Sequence, residues 1–413
     1  MQLPSKQHQK WQKIIKGEVR HDIKFLPAKL LLGNLLPFVK KYYSEIDINF
    51  AVGRLYSLYA NNLNIPSVQH DLGIIFKDEA MNNSLLPISK VSQMIEAGKT
   101  LILAGDDAVL SRLPKGNWIA GTTSFFMTKD HGGIEDTDMI FVTDISDVAS
   151  SFKICRYDAG RLSHIYDVTP KPGFTFLIIP MFGDAHLSFS VNAPNYINFA
   201  SHPLVGWISG VNVKDIGRKK PKVFDGTTAE SFEHDAIALH VDLNEGKIAQ
   251  INIINLFEPG EGDTIMFDSD GVTPENTIVD GNIYNFYDYI IANSIDTKLP
   301  LVADYYGAKI NVSFNSIDHD NKKVTLGTPV LCGVRYRHAK HISDYIKEFQ
   351  RVLSLDTSVS SNNMAFSCNC FLNYMYSKLE GKKTEPFYGP VTFGEIAYQL
   401  LNQTLVYLEL LDV

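Results

Sequence analysis

From Thr100 onward the chain is written in short apolar runs, each stopped within a few residues by glycine, proline, asparagine or aspartate. That punctuation constrains the fold more than any other feature. "TLILAG", "NWIAGTTSFFM", "DMIFVTDI" and "FTFLIIPMF" are too short and too continuously apolar for amphipathic helices, and they read as strands, several of them buried on both faces. "HDAIALHVDL" and "KIAQINIINLF" alternate with period two on either side of "NEG", a hairpin signal. "KVTLGTPVLCGVRYR" reads as a strand pair or one bent strand, and "TLVYLELL" as a closing strand.

Helical signals are fewer. "ISKVSQMIEAGK" gives a short helix ending at Gly98. In "HAKHISDYIKEFQRVLS" the spacing of Ile342, Tyr345, Ile346, Phe349, Val352 and Leu353 predicts an amphipathic helix lying on a sheet. Near the start, "AKLLLGNLLPFVKKYY" carries an apolar stripe that Gly33 and Pro37 interrupt. Strands interspersed with a few helices imply an α+β fold. The expected architecture is two sheet-containing halves with mixed or antiparallel strands and flanking helices, preceded by a helical N-terminal extension. The Gly-, Lys- and Asp-rich stretch "GVNVKDIGRKKPKVFDGTTAESF" is the best seam. It divides the chain into an extension at 1–92, a first half at 93–222 and a second at 223–413.

With 413 residues, 45% of them hydrophobic, the chain can bury one large core or two ordinary ones. Its formal charge of −8 opposes general attraction to nucleic acid or anionic lipid. No run reaches the roughly 18 to 20 apolar residues of a membrane helix, and "MQLPSKQHQKWQKIIKGEVRHD" lacks the apolar core of a signal peptide. A soluble, cytoplasmic protein with no membrane insertion is expected. Four cysteines (Cys155, Cys332, Cys368 and Cys370) are too few for a disulfide framework, so reduced thiols are expected.

Most chemical motifs have a plain structural reading. Cys368 and Cys370 could offer two soft ligands, but a structural zinc needs four and no second pair exists. Buried thiols fit better. Asp268, Asp270 and Gly271 resemble a calcium loop with the glycine two places early, so an Asp-Gly turn is preferred. Gly105 to Thr123 matches neither phosphate-binding glycine pattern. His338 and His341, three apart on the presumed helix, could share a ligand but read by default as surface histidines.

The tail "GPVTFGEIAYQLLNQT" is more suggestive. Gly389, Pro390 and Gly394 surround a bend, the Glu395 carboxylate follows directly, and Asn402 and Thr404 precede an apolar strand. Glycines allow close backbone approach while a carboxylate and an amide orient a polar ligand. Equally, Glu395 and Asn402 could satisfy the backbone of a buried loop.

That tail resembles the C-terminal half of the FIST family of sensory modules. Phe366, Ser367 and Cys368, followed by Asn369, match its "FSC" strand. Phe393, Gly394, Glu395 and Ile396 match its Gly-Glu-Ile turn, and Asn402, Gln403 and Thr404 its final "NxT" strand. Upstream, "WIAGTTSFF" is similar to the N-terminal half's Gly-Cys-Thr-Thr strand, with Gly121 leading straight into Thr122 and Thr123. "HPLVGWISG" is similar to the strand before the crossover. The resemblance implies a two-part sensor without chemistry of its own, binding a small molecule between its halves and reporting to a partner such as a histidine kinase. Glu395 and Asn402 would orient the ligand, Phe393 and Tyr398 would wall it, and Gly394, Thr122, Thr123, Cys368 and Asn369 would complete the site. Some family members resemble haem-binding sensors with a histidine ligand, but the resemblance assigns that role to none of His186, His202, His234 or His240. Two other classes compete: a hydrolase or transferase with Cys368 or Ser367 as nucleophile, and a pure interaction or effector protein.

Overall fold

The computed structural model describes residues 83–413 apart from 169, 171, 306–307 and 356–362; the interrupted apolar stripe at 28–43 lies outside them. The fold is α+β. Among the described residues three six-stranded sheets converge on one core, and a fourth stands beside them with a core of its own. The first sheet runs Asn83–Pro87, Met139–Asp144, Leu101–Gly105, Trp118–Thr122, Val223–Asp225, Glu230–Phe232. The second runs Gln399–Leu401, Glu395–Ala397, Leu204–Ser209, Gly173–Pro180, Ala236–Leu243, Ala149–Tyr157. The third runs Lys247–Ile254, Leu405–Asp412, Met364–Cys370, Gly389–Thr392, Phe125–Thr128, Gly132–Glu135. Most neighbours are antiparallel. Leu101–Gly105 with Trp118–Thr122, Gly173–Pro180 with Leu204–Ser209, and Met364–Cys370 with Gly389–Thr392 are parallel.

Strand periodicity explains the continuous apolar runs. Alternate side chains leave opposite faces, and here both faces are covered. Ile102 and Ala104 turn into the shared core while Leu101 and Leu103 meet Val91 and Ile95 of the helix Ile88–Glu96. Phe174, Phe176 and Ile178 turn inward while Leu177 and Ile179 pack under Phe189 of the helix Asp184–Asn192. Val406 and Leu408 turn inward while Leu405 and Tyr407 pack with Tyr345 and Phe349 of the helix Tyr345–Leu355. At the centre Trp207 stacks on Phe366 at 5.6 Å, and Phe176 meets both rings edge-on.

The strand expectations hold at every run quoted from the first half, but connectivity differs in four places. Ala236–Leu243 and Lys247–Ile254 do not form a hairpin. The first joins the second sheet and the second joins the third, because each buries its apolar side against a different layer. "NWIAGTTSFFM" likewise splits between two sheets. The line drawn at 222/223 falls inside a sheet, since Val223–Asp225 pairs with Trp118–Thr122. "KVTLGTPVLCGVRYR" yields two strands that do not pair with each other: Lys323–Leu326 hairpins with Phe314–Asp318, and Tyr336–His338 pairs with Ile265–Met266 and Leu301–Tyr305. His338 and His341 precede the helix, which begins at Tyr345 once Asp344 accepts a hydrogen bond from Lys347 N at 3.1 Å.

The fourth sheet runs Asn282–Asn285, Asn276–Val279, Ile265–Met266, Tyr336–His338, Leu301–Tyr305, Ala308–Val312. It is an insertion between the third-sheet strands Lys247–Ile254 and Met364–Cys370, which lie on either side of Leu405–Asp412. Phe267, Phe286, Phe314 and Tyr336 form its core, with the helix Phe286–Ala292 over one side.

Candidate functional site

The tail places Glu395 where the chain crosses from the third sheet to the second. Gly389 and Gly394 make the crossing feasible: a Cβ on Gly389 would sit 1.7 Å from the Ser367 carbonyl, and one on Gly394 would press Leu400 and Ile208 at 2.9 and 3.0 Å. Glu395 itself is completely buried. Its Oε2 accepts from Thr404 N at 3.2 Å and Thr404 Oγ1 at 2.8 Å, while Oε1 lies 3.4 Å from Thr392 Oγ1. Burial outweighs these bonds and raises the carboxyl to about 8, so it carries a proton at neutral pH. With that proton on Oε1, the acid donates to Thr392, whose hydroxyl reaches the Asn369 carbonyl at 3.5 Å.

Cys368 and Cys370 are buried beside it, and burial together with the Glu395 charge pushes both thiols up. Cys368 is therefore a packed thiol rather than an exposed thiolate. Ser367 donates to the Tyr388 carbonyl at 3.0 Å. The proposed nucleophiles thus sit in structural roles.

The nine residues singled out by resemblance are not assembled around one opening. Cys368, Asn369, Gly394 and Glu395 cluster, and Phe393 stacks on Phe371 at 4.9 Å beside them. Thr123 reaches the same region by donating to the Val391 carbonyl at 2.7 Å. Thr122 instead bonds Lys222 across the first sheet. Tyr398 holds a left-handed turn, φ 64°. Asn402 and its neighbour Gln403 form the joint to the inserted sheet: Asn311 donates to both their carbonyls, and the Gln403 amide bonds Ser313 at 2.7 Å and the Lys298 carbonyl at 3.0 Å. The "NxT" motif therefore fastens two units through its first two residues and the buried acid through its third.

A cleft of about 740 Å³ opens on the outer side of the third sheet. It lies between the start of the helix Tyr345–Leu355 and the segment after the helix Phe371–Tyr376. Tyr345 and Tyr376 offer rings, and Lys378, Lys382 and Lys383 offer cations around Asp344. None of the nine residues lines it. Tyr345 belongs to both environments: it lines the cleft, yet it is 95% buried, its pKa driven up by desolvation and by the Cys370 and Glu395 charges and opposed by the Asn369 side chain. Tyr345 thus stands at the cleft wall within electrostatic reach of Asn369, Cys370 and Glu395. Sequence spacing marked Tyr345 as a helix residue; nothing in the linear pattern marked it as the link.

Residues 86–411 match the sequence profile of DUF6976, a family of unknown function. The chain belongs to that family. The DUF6976 match starts in the first described strand and ends in the last, so it takes in all four six-stranded sheets and both faces of the cleft. No curated protein matches the chain. The FIST resemblance therefore rests on its quoted motifs alone.

This DUF6976 chain has a second buried polar cluster that sequence reading missed. Across the outer face of the second sheet, Tyr157 OH meets His240 Nε2 at 2.9 Å, His240 Nδ1 meets Thr175 Oγ1 at 2.8 Å, and Thr175 Oγ1 meets His202 Nε2 at 2.9 Å. Burial lowers both histidines to about 4, so both are neutral. Pairing of adjacent strands sets His240 opposite Thr175, a signal invisible without the register, while Tyr157 and His202 reach in from elsewhere. No histidine, cysteine or methionine lines the cleft, and the two buried imidazoles are engaged with Thr175 inside a packed layer.

Proposed function

We propose that the chain is a small-molecule-binding module of the sensory type, taking an anionic ligand in the cleft and passing its output to a partner protein. The observation that carries this reading is the placement of Tyr345, at the cleft wall and within electrostatic reach of Glu395. Three lysines attract an anion, and the two tyrosines supply flat apolar contact for the rest of the ligand. A bound anion near Tyr345 changes the field at a carboxyl whose titration lies close to neutral pH. Such a link converts occupancy into a change in core electrostatics, which a sensor needs and a scaffold does not. The partner, a histidine kinase in the systems that the resemblance points to, then reads the altered surface.

A thermal-shift panel of carboxylates, phosphates and nucleotides tests this. At least one anion is expected to raise the melting temperature by several degrees, and Lys382→Glu with Lys383→Glu is expected to abolish the rise. No response to any anion, or a response that survives the double substitution, would end the reading.

A further inference from the structure

The two walls of the cleft differ in chemistry. One is the segment that follows the helix Phe371–Tyr376, and it brings Lys378, Lys382 and Lys383 together beside Tyr376 and Ser377. Two left-handed residues fold it, Lys378 at φ 52° and Gly381 at φ 70°, and Lys382 Nζ closes the bend by donating to the Ser377 carbonyl at 2.9 Å. The three lysines are exposed, and among the described residues none of them is in an ion pair, although Glu380 and Glu385 belong to the same segment. The other wall is the start of the helix Tyr345–Leu355 and the residues just before it. It brings no cation to the cleft. Ile342 and Ile346 are its aliphatic part, and Ser343, Asp344 and Gln350 its polar part.

Each wall restricts what fits. Three ammonium groups against one carboxylate leave an excess of positive charge. A phosphate monoester, at about −1.5 to −2 near pH 7, matches that excess better than the single charge of a carboxylate does. At about 740 Å³ the cleft is also far larger than a free phosphate ion and suits a molecule with a body of its own. Asp344 separates the remaining candidates. Its Oδ1 accepts from Lys347 N at 3.1 Å, and its second oxygen is not used there. A carboxylate beside the lysines repels a bare anion, but it accepts hydrogen bonds from the hydroxyls of a sugar. Gln350 lies four residues after Ile346 and so on the same helix face. Its amide offers a donor and an acceptor together, the pairing that reads the edge of a heterocyclic base. Tyr376 offers a ring on which such a base stacks.

We propose that the cleft is built for a nucleoside phosphate, with the phosphate on the lysine wall, the sugar hydroxyls at Asp344, and the base held by Tyr376 and the Ile346 and Gln350 face. This inference rests on the anion-binding reading of the cleft and adds the class of the anion.

Calorimetric titration of the full chain with AMP, GMP, CMP, UMP, ribose 5-phosphate, phosphotyrosine and inorganic phosphate tests it. At least one nucleotide is expected to bind about 10-fold or more tightly than ribose 5-phosphate, the factor that one stacked base supplies. Gln350→Ala, at an exposed position, should shrink that margin and leave the binding of ribose 5-phosphate unchanged, whereas Lys383→Glu should weaken both ligands alike. Ribose 5-phosphate, phosphotyrosine or inorganic phosphate binding as tightly as every nucleotide, and losing affinity in Lys383→Glu, overturns the nucleotide assignment while the anion reading stands. A nucleotide margin untouched by Gln350→Ala overturns the assignment as well. No binding by any of these ligands or by carboxylates overturns both.

Discussion

Two buried polar clusters, built on different sheets, respond to the same physical cause in opposite senses. Around Glu395, desolvation raises an acid until it holds its proton at neutral pH. Across Tyr157, His240, Thr175 and His202, desolvation lowers two bases until they release theirs. Both clusters are thus neutral near pH 7, and both reach neutrality without a counter-ion. The difference lies in what each adjoins. The histidine ladder is buried in the outer layer of the second sheet, with Tyr166 against His202 at 5.1 Å, whereas the glutamate cluster lies within electrostatic reach of Tyr345 at a cleft wall. The contrast separates a structural polar core from one placed to respond to a ligand.

The largest effect that could break this comparison comes from Glu395→Ala. It strands the Thr404 amide and two hydroxyls and opens a void, for an expected loss of about 3 to 5 kcal/mol in urea unfolding. Glu395→Gln keeps a neutral donor and acceptor of the same shape and should lose less than about 1 kcal/mol. An equal loss in both variants would mean that the ionised form is the native one.

Thr175→Val should cost about 2 kcal/mol, because it leaves one nitrogen of each buried imidazole unpaired while preserving volume. A loss confined to a few tenths of a kcal/mol would show the ladder to be wet.

The pH profile sharpens the contrast further. Both histidines have folded pKa values below the unfolded value of 6.5, so their contribution is present above pH 6.5 and is lost as pH falls through about 4. Glu395 is raised from 4.5, so its contribution is present below pH 4.5 and is lost as pH rises through about 8. The two trends oppose each other between pH 4.5 and 6.5, and only the glutamate acts from 6.5 to 8. Wild-type stability should therefore decline over that upper window, and Glu395→Gln should flatten it. The smallest expected effect is Arg351→Ala. It removes an exposed, solvent-screened pair with Glu348 on the helix Tyr345–Leu355 and should leave the urea midpoint unchanged within error.

The legible parts of the sequence were those set by local periodicity. "TLILAG" and "FTFLIIPMF" announced strands covered on both faces, and the tail announced a bend followed by a closing strand. Pairing was not legible. "NEG" carries hairpin chemistry, but the two strands it joins bury their apolar sides in different layers, and tertiary burial overrides the turn. The crossing at Gly394 was marked by its glycines, and the Glu395 carboxylate directly after it stood out beside them. That it faces the core rather than a cavity depends on Thr392 and Thr404 closing over it, which spacing alone does not encode. Tyr345 was missed as a link for the same reason: its helical period specifies burial, not the neighbour it is buried against.

The most direct test of the account is the Glu395 side-chain carboxyl, followed by carbon-13 NMR while an anion identified by thermal shift is titrated into the cleft at pH 7.5. The account predicts that the Glu395 resonance moves with occupancy, and that Tyr345→Phe reduces the movement. An anion that binds with Lys382 and Lys383 while the Glu395 signal stays fixed would contradict it.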